Sequence, residues 1–105
     1  MKKIKVTKQE AERLLASVPE EQAFWSSDGK VFRNLEDLNT GLNEMSDETY
    51  AYHSNAEKQD FSNWLKDVVQ DEKLASELAK PIDRQGATKR VSDRIAFLNS
   101  KLAQS

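Results

Sequence analysis

Apolar residues along this chain recur mostly at spacings of three and four, the period of one face of an α-helix. Ala11, Leu14, Leu15 and Val18 form the first such group, behind a Thr7-Lys8-Gln9-Glu10 stretch with the pattern of a capping box. Pro19 limits that helix to about residues 8–17, because the residue before proline is pushed out of the α region. Ile4 and Val6 ahead of it read as a short strand or extended arm.

The period then changes. Phe24-Trp25 and Val31-Phe32 flank Ser26-Ser27-Asp28-Gly29-Lys30, a turn in which Asp-Gly supplies a residue tolerant of positive φ. A small β-hairpin is predicted near residues 23–33, and two strands alone are marginal in water, so it must lie on helices. Adjacent side chains of a strand point to opposite faces, so one of Phe24 and Trp25 is expected in the core and the other partly exposed, with a contact role as the sharper alternative to an idle surface ring.

Helical spacing resumes with Leu35, Leu38, Leu42 and Met45 behind Asn34, a good N-cap. Gly41 inside that helix costs roughly 1 kcal/mol relative to alanine, which points to the close approach of another element. Ser46 or Asp47 caps a short helix carrying Tyr50, Ala51 and His53. Phe61, Trp64, Leu65, Val68 and Val69 give the clearest apolar face, starting near Asp60. Asp71 caps a helix with Leu74, Ala75, Leu78 and Ala79, ended by Pro81. Beyond Gly86, a last helix starting at Ala87 or Thr88 carries Val91, Ile95, Leu98 and Leu102 in a narrow stripe, too short to establish a coiled coil. The expected fold is mainly α, a compact bundle of about five or six helices with one hairpin. Its core is expected around Phe61, Trp64, Leu65, Leu38, Leu42 and Leu74.

The chain has 105 residues, the size of a single domain with one core. Charged residues make up 32%, yet eight aromatics are present, which argues for a folded domain and against disorder. There is no cysteine, so neither a disulfide framework nor a thiolate metal site is available. No apolar run approaches the roughly 20 residues needed to cross a bilayer. The opening Met-Lys-Lys-Ile-Lys is followed by Lys8, Glu10, Glu12 and Arg13 where a signal peptide needs apolar residues. A cytoplasmic protein without a membrane association is the expectation.

Net charge is −2, which disfavours nucleic-acid binding by bulk electrostatics. Its distribution is uneven. Six acids and no Lys or Arg fall between Asn34 and Glu57, whereas the first eight residues carry four lysines and no acid. From Lys80 onward there are six basic residues against Asp83 and Asp93. Basic ends folding onto an acidic middle is the plainest account. Head-to-tail association, or an acidic face offered to a basic partner, is the sharper one.

Candidate chemistry is sparse. His53 is the single histidine, with Asp47, Glu48, Glu57 and Asp60 as its nearest acids, and a structural role accounts for it at least as well as a binding or catalytic one. Adjacent carboxylates such as Glu36/Asp37 diverge on a helix and form no acid–base pair. Gly29 is not part of a phosphate-binding loop, and no Gly-x-Ser-x-Gly elbow occurs. No cofactor or metal is implied.

The ordered set Asp28-Gly29, Leu35-Glu36-Asp37-Leu38, Leu42, Met45-Ser46-Asp47, Tyr50, Tyr52-His53, Asp60-Phe61-Ser62-Asn63-Trp64-Leu65 and Asp71-Glu72-Lys73-Leu74-Ala75 resembles a family of small prokaryotic domains of unassigned function. That family's pattern is a Gly turn, a leucine helix, a Tyr-His or Phe-His pair, Asp-Phe-x-x-Trp and a Leu-Ala helix. The resemblance spans about residues 24–80. It implies a compact domain there, with 81–105 as a C-terminal helical extension, and it assigns no catalytic or binding residue.

The favoured function is a non-enzymatic interaction or assembly module acting through a protein partner or self-association, including a homodimer. Its candidate contact residues are Trp25, His53, Arg90, Arg94, Leu98 and Leu102. The alternative is a nucleic-acid-associated regulator using the basic last helix through Arg90 and Arg94. An enzyme using His53 with a neighbouring acid comes third.

Overall fold

A computed structural model of the chain describes residues 6–103, so the expected strand or arm at Ile4 lies outside the described residues. Six α-helices occur among them, with one two-stranded antiparallel sheet. The order is α1 (Lys8–Leu15), a 3₁₀ turn (Glu20–Gln22), β1 (Phe24–Trp25), β2 (Val31–Phe32), α2 (Leu35–Glu44), α3 (Asp47–His53), α4 (Asp60–Trp64), a π-helical turn (Leu65–Val69), α5 (Glu72–Ala79) and α6 (Arg84–Ala103). The fold is mainly α with a minor hairpin, as the spacing predicts.

The helix starts follow from local hydrogen bonding. Thr7 Oγ1 accepts from the Glu10 amide at 3.1 Å, while the Glu10 carboxylate turns away to Arg13 at 3.0 Å, so only half of the capping box forms. α1 ends at Leu15, two residues short of expectation, because the Val18 amide donates to the Arg33 carbonyl at 2.8 Å and draws the chain extended before Pro19. At α2, Asn34 accepts from the Asp37 amide at 2.8 Å and Asp37 accepts from the Arg33 amide at 3.0 Å. Ser46 caps α3 and Asp71 caps α5.

The segment from Asp60 is not one uniform α-helix. After Trp64 it widens into the π turn and closes with Gln70 in the left-handed region at φ 65°, where the Asp71 amide reaches back to the Leu65 carbonyl at 2.9 Å.

α6 also differs from expectation. It begins at Arg84, with Asp83 Oδ1 accepting from the Gly86 amide at 2.7 Å, and Gly86 lies inside its first turn. α6 packs against α1 and α2, and its Ala87, Val91 and Leu98 are fully buried.

All six residues expected at the core are buried, within one cluster that also takes in Ala11, Leu14, Leu35 and Leu78. A fully buried leucine such as Leu35, Leu38 or Leu42 contributes roughly 2 kcal/mol relative to exposure. Phe24, Phe32, Tyr50, Phe61 and Trp64 belong to the same cluster, and the Trp64 indole N–H donates to the Gln22 carbonyl at 2.9 Å. These aromatic contacts support the hairpin.

Candidate functional site

The hairpin pairs Phe24 with Phe32 and Trp25 with Val31. Phe24 points inward against Phe32, Phe61 and Trp64, with ring centroids 5.1–5.9 Å away. Strand alternation therefore turns Trp25 outward, and it is 62% exposed. The tip is tightly made. Ser26 donates its amide to the Lys30 carbonyl at 2.8 Å, Gly29 sits at φ +94°, and Asp28 accepts from the Lys30 amide at 3.1 Å. Slight burial pushes the Asp28 carboxyl up, but the Lys30 amide, the Ser26 hydroxyl and the Lys30 ammonium together outweigh it and hold it below the usual value.

His53, the last residue of α3, is buried beneath this tip. Its Nε2 accepts from the Ser27 amide at 2.9 Å. A backbone N–H only donates, so Nε2 carries no proton, and Nδ1–H donates to Asp60 Oδ2 at 2.9 Å. Both ring nitrogens are thus engaged by the chain itself, one by the hairpin and one by α4. Asp60, expected at the start of that helix, spends its carboxylate on the histidine, and Gln59 stands at the cap position without a side-chain cap bond.

Tyr52 lies beside His53, edge to face at 5.0 Å, and is 57% exposed. Lys58 Nζ sits 3.8 Å above its ring centre and 3.5 Å from Asp60 Oδ2. His53 thus contacts both the exposed Tyr52 ring and the hairpin turn, two residues beyond the exposed Trp25. Tyr52 was missed by spacing. Its signal was its place two residues after the buried Tyr50, which puts it on the far side of a helix.

The last-helix candidates fall elsewhere. Leu98 is fully buried in the chain's own core, and Leu102 and Ile95 are half-buried against it, so the apolar stripe already has its partner. Arg94, expected on a solvated basic face, is buried in a paired contact with Asp71. Arg90 is exposed. So is Phe97, off the stripe, with Arg94 and Lys101 about its ring at 5.5 and 5.2 Å.

Among the described residues, no group of three or more His, Asp or Glu side chains converges as a metal-ligand set. None of the described helices is long and apolar enough to cross a membrane. In comparisons with known proteins, no family model, curated protein or solved structure matches the chain.

Proposed function

We propose that this chain works by protein–protein contact, without catalysis, through the surface that presents Trp25 and Tyr52. The observation that carries this reading is Trp25 itself, a large aromatic left 62% exposed on a strand whose neighbour Phe24 is anchored in the core. A tryptophan on a well-supported element has little freedom to lose on binding, which is why such residues dominate contact energies. The partner is another protein or a second copy of the chain.

Two other readings lose support. The α6 stripe is spent on the core, so a homodimer built on Leu98 and Leu102 has no free apolar seam. A nucleic-acid role through Arg90 and Arg94 retains only Arg90, because Arg94 is neutralised by Asp71, and the chain's net charge of −2 opposes it.

The test compares wild type with Trp25→Ser, Tyr52→Ser and Phe97→Ser, each checked for an unchanged unfolding transition. Bait chains are used for quantitative capture from extract, and sedimentation reports self-association. A partner, or a doubled mass, present for wild type and Phe97→Ser but absent for both hairpin-side variants is expected. An identical bound set and mass for all four chains would end this reading.

A further inference from the structure

We propose that His53 is a proton-operated latch on the hairpin that carries Trp25; the functional meaning of the latch rests on the contact surface proposed above. His53 joins two separate elements through two chemically different bonds. Nδ1–H donates to Asp60 on α4, and bare Nε2 accepts from the Ser27 amide in the hairpin turn, both at 2.9 Å.

A proton added to this ring can go only to Nε2. There it converts the acceptor into a donor and sets N–H against N–H. The Ser27 amide then loses its partner, while the bond to Asp60 gains an opposite charge. Protonation therefore strengthens one anchor and cancels the other, and the anchor it cancels belongs to the hairpin.

The groups around the ring allow this response. Asp60 from α4 supplies the countercharge, and Lys58 from the loop before it shares the same carboxylate oxygen at 3.5 Å. Tyr52 on α3 presents its ring edge-on, and the Phe24 and Phe61 rings that pack on the imidazole are uncharged. On the hairpin, Asp28 is taken by the Lys30 amide, and the Lys30 ammonium lies 3.6 Å from Glu44.

The hairpin is the weaker side. Its two strands have two residues each, and an isolated pair of strands is marginal in water. Losing the Ser27 bond loosens the turn next to Trp25, so the contact surface is set in the neutral state and relaxed in the protonated one.

The test uses the free full-length chain and needs no partner. Nitrogen NMR from about pH 8 to about pH 5 follows the His53 ring, the Ser27 amide and the Trp25 indole together. The Ser27 amide is expected to lose up to about ten-fold in exchange protection, corrected for intrinsic rates, the size of one net hydrogen bond. That loss should trace the same curve as the ring, and the indole shift should follow it. In His53→Gln, Ser27 protection should be independent of pH. A ring that titrates while Ser27 stays protected overturns the latch, and so does a ring that stays unprotonated until the chain unfolds. Either result leaves the capture experiment untouched, so failure of the latch and failure of the contact surface are separately visible.

Discussion

The guanidinium of Arg94 is forked across the carboxylate of Asp71, Nε to Oδ2 at 2.8 Å and Nη2 to Oδ1 at 2.9 Å, with both side chains buried. Asp71 Oδ1 also accepts from the Leu74 amide at 3.2 Å, so one carboxylate caps α5 and ties it to the middle of α6. Buried pairs of this kind offset large desolvation costs with their mutual attraction, and the danger lies in leaving one charge alone. Arg94→Met should therefore cost roughly 3–5 kcal/mol in urea unfolding. Asp71→Asn with Arg94→Met should lose less than the sum of the single changes, with a coupling of about 1–3 kcal/mol. Strict additivity would mean that the fork contributes nothing specific.

Tyr50 offers a pH test. Its hydroxyl donates to the Ile82 carbonyl at 2.7 Å, and its ring stacks on Phe61. Burial pushes its pKa above the ordinary 10.0; Ser54 pulls the other way, and Asp83 adds to the rise. The folded state thus holds the proton more tightly than the unfolded chain does. The resulting stability is fully present below about pH 10 and is lost as pH climbs towards the folded value. Wild type should lose stability between about pH 9 and about pH 11 more steeply than Tyr50→Phe. At neutral pH the variant should be weaker by about 1 kcal/mol, from the lost hydrogen bond. Parallel stability curves across the alkaline range would remove Tyr50 from the account.

How much of this was legible in the sequence depends on the reach of each interaction. Leu38, Leu42, Phe61 and Trp64 repeat at helical spacing, so their burial could be read locally, and Phe24-Trp25 required one ring inside and one outside. The start of α6 was misread because Gly86 looked like punctuation, whereas Asp83, three residues earlier, caps it. Arg94 looked like one charge of a solvated face because its partner lies 23 residues away, across a helix junction. The contact of His53 with Ser27 spans 26 residues and ends on a backbone amide, a donor that every residue except proline carries. Nothing in spacing or composition could single it out.

Gly41 joins the legible part of the fold to the candidate site. A Cβ added there would overlap the ring of Phe32, the close approach that a glycine inside a helix implies. Phe32 cannot swing clear, since it is buried and stacked 5.7 Å from Phe24, its partner across the hairpin. Alanine normally gains about 1 kcal/mol over glycine in a helix interior. Here the overlap should cost about 1–3 kcal/mol and reverse the sign for most of that range. Gly41→Ala is accordingly expected to lower stability in urea unfolding, and Phe32→Leu in the same chain should recover part of the loss by vacating the contested space. Because β2 is, among the described residues, the only strand paired with β1, displacing Phe32 also shifts the frame that holds Trp25 outward. The tryptophan emission of folded Gly41→Ala should change, and that change should shrink in the double variant. If Gly41→Ala instead gains the usual helical increment, the hairpin does not press on α2 as closely as the geometry requires.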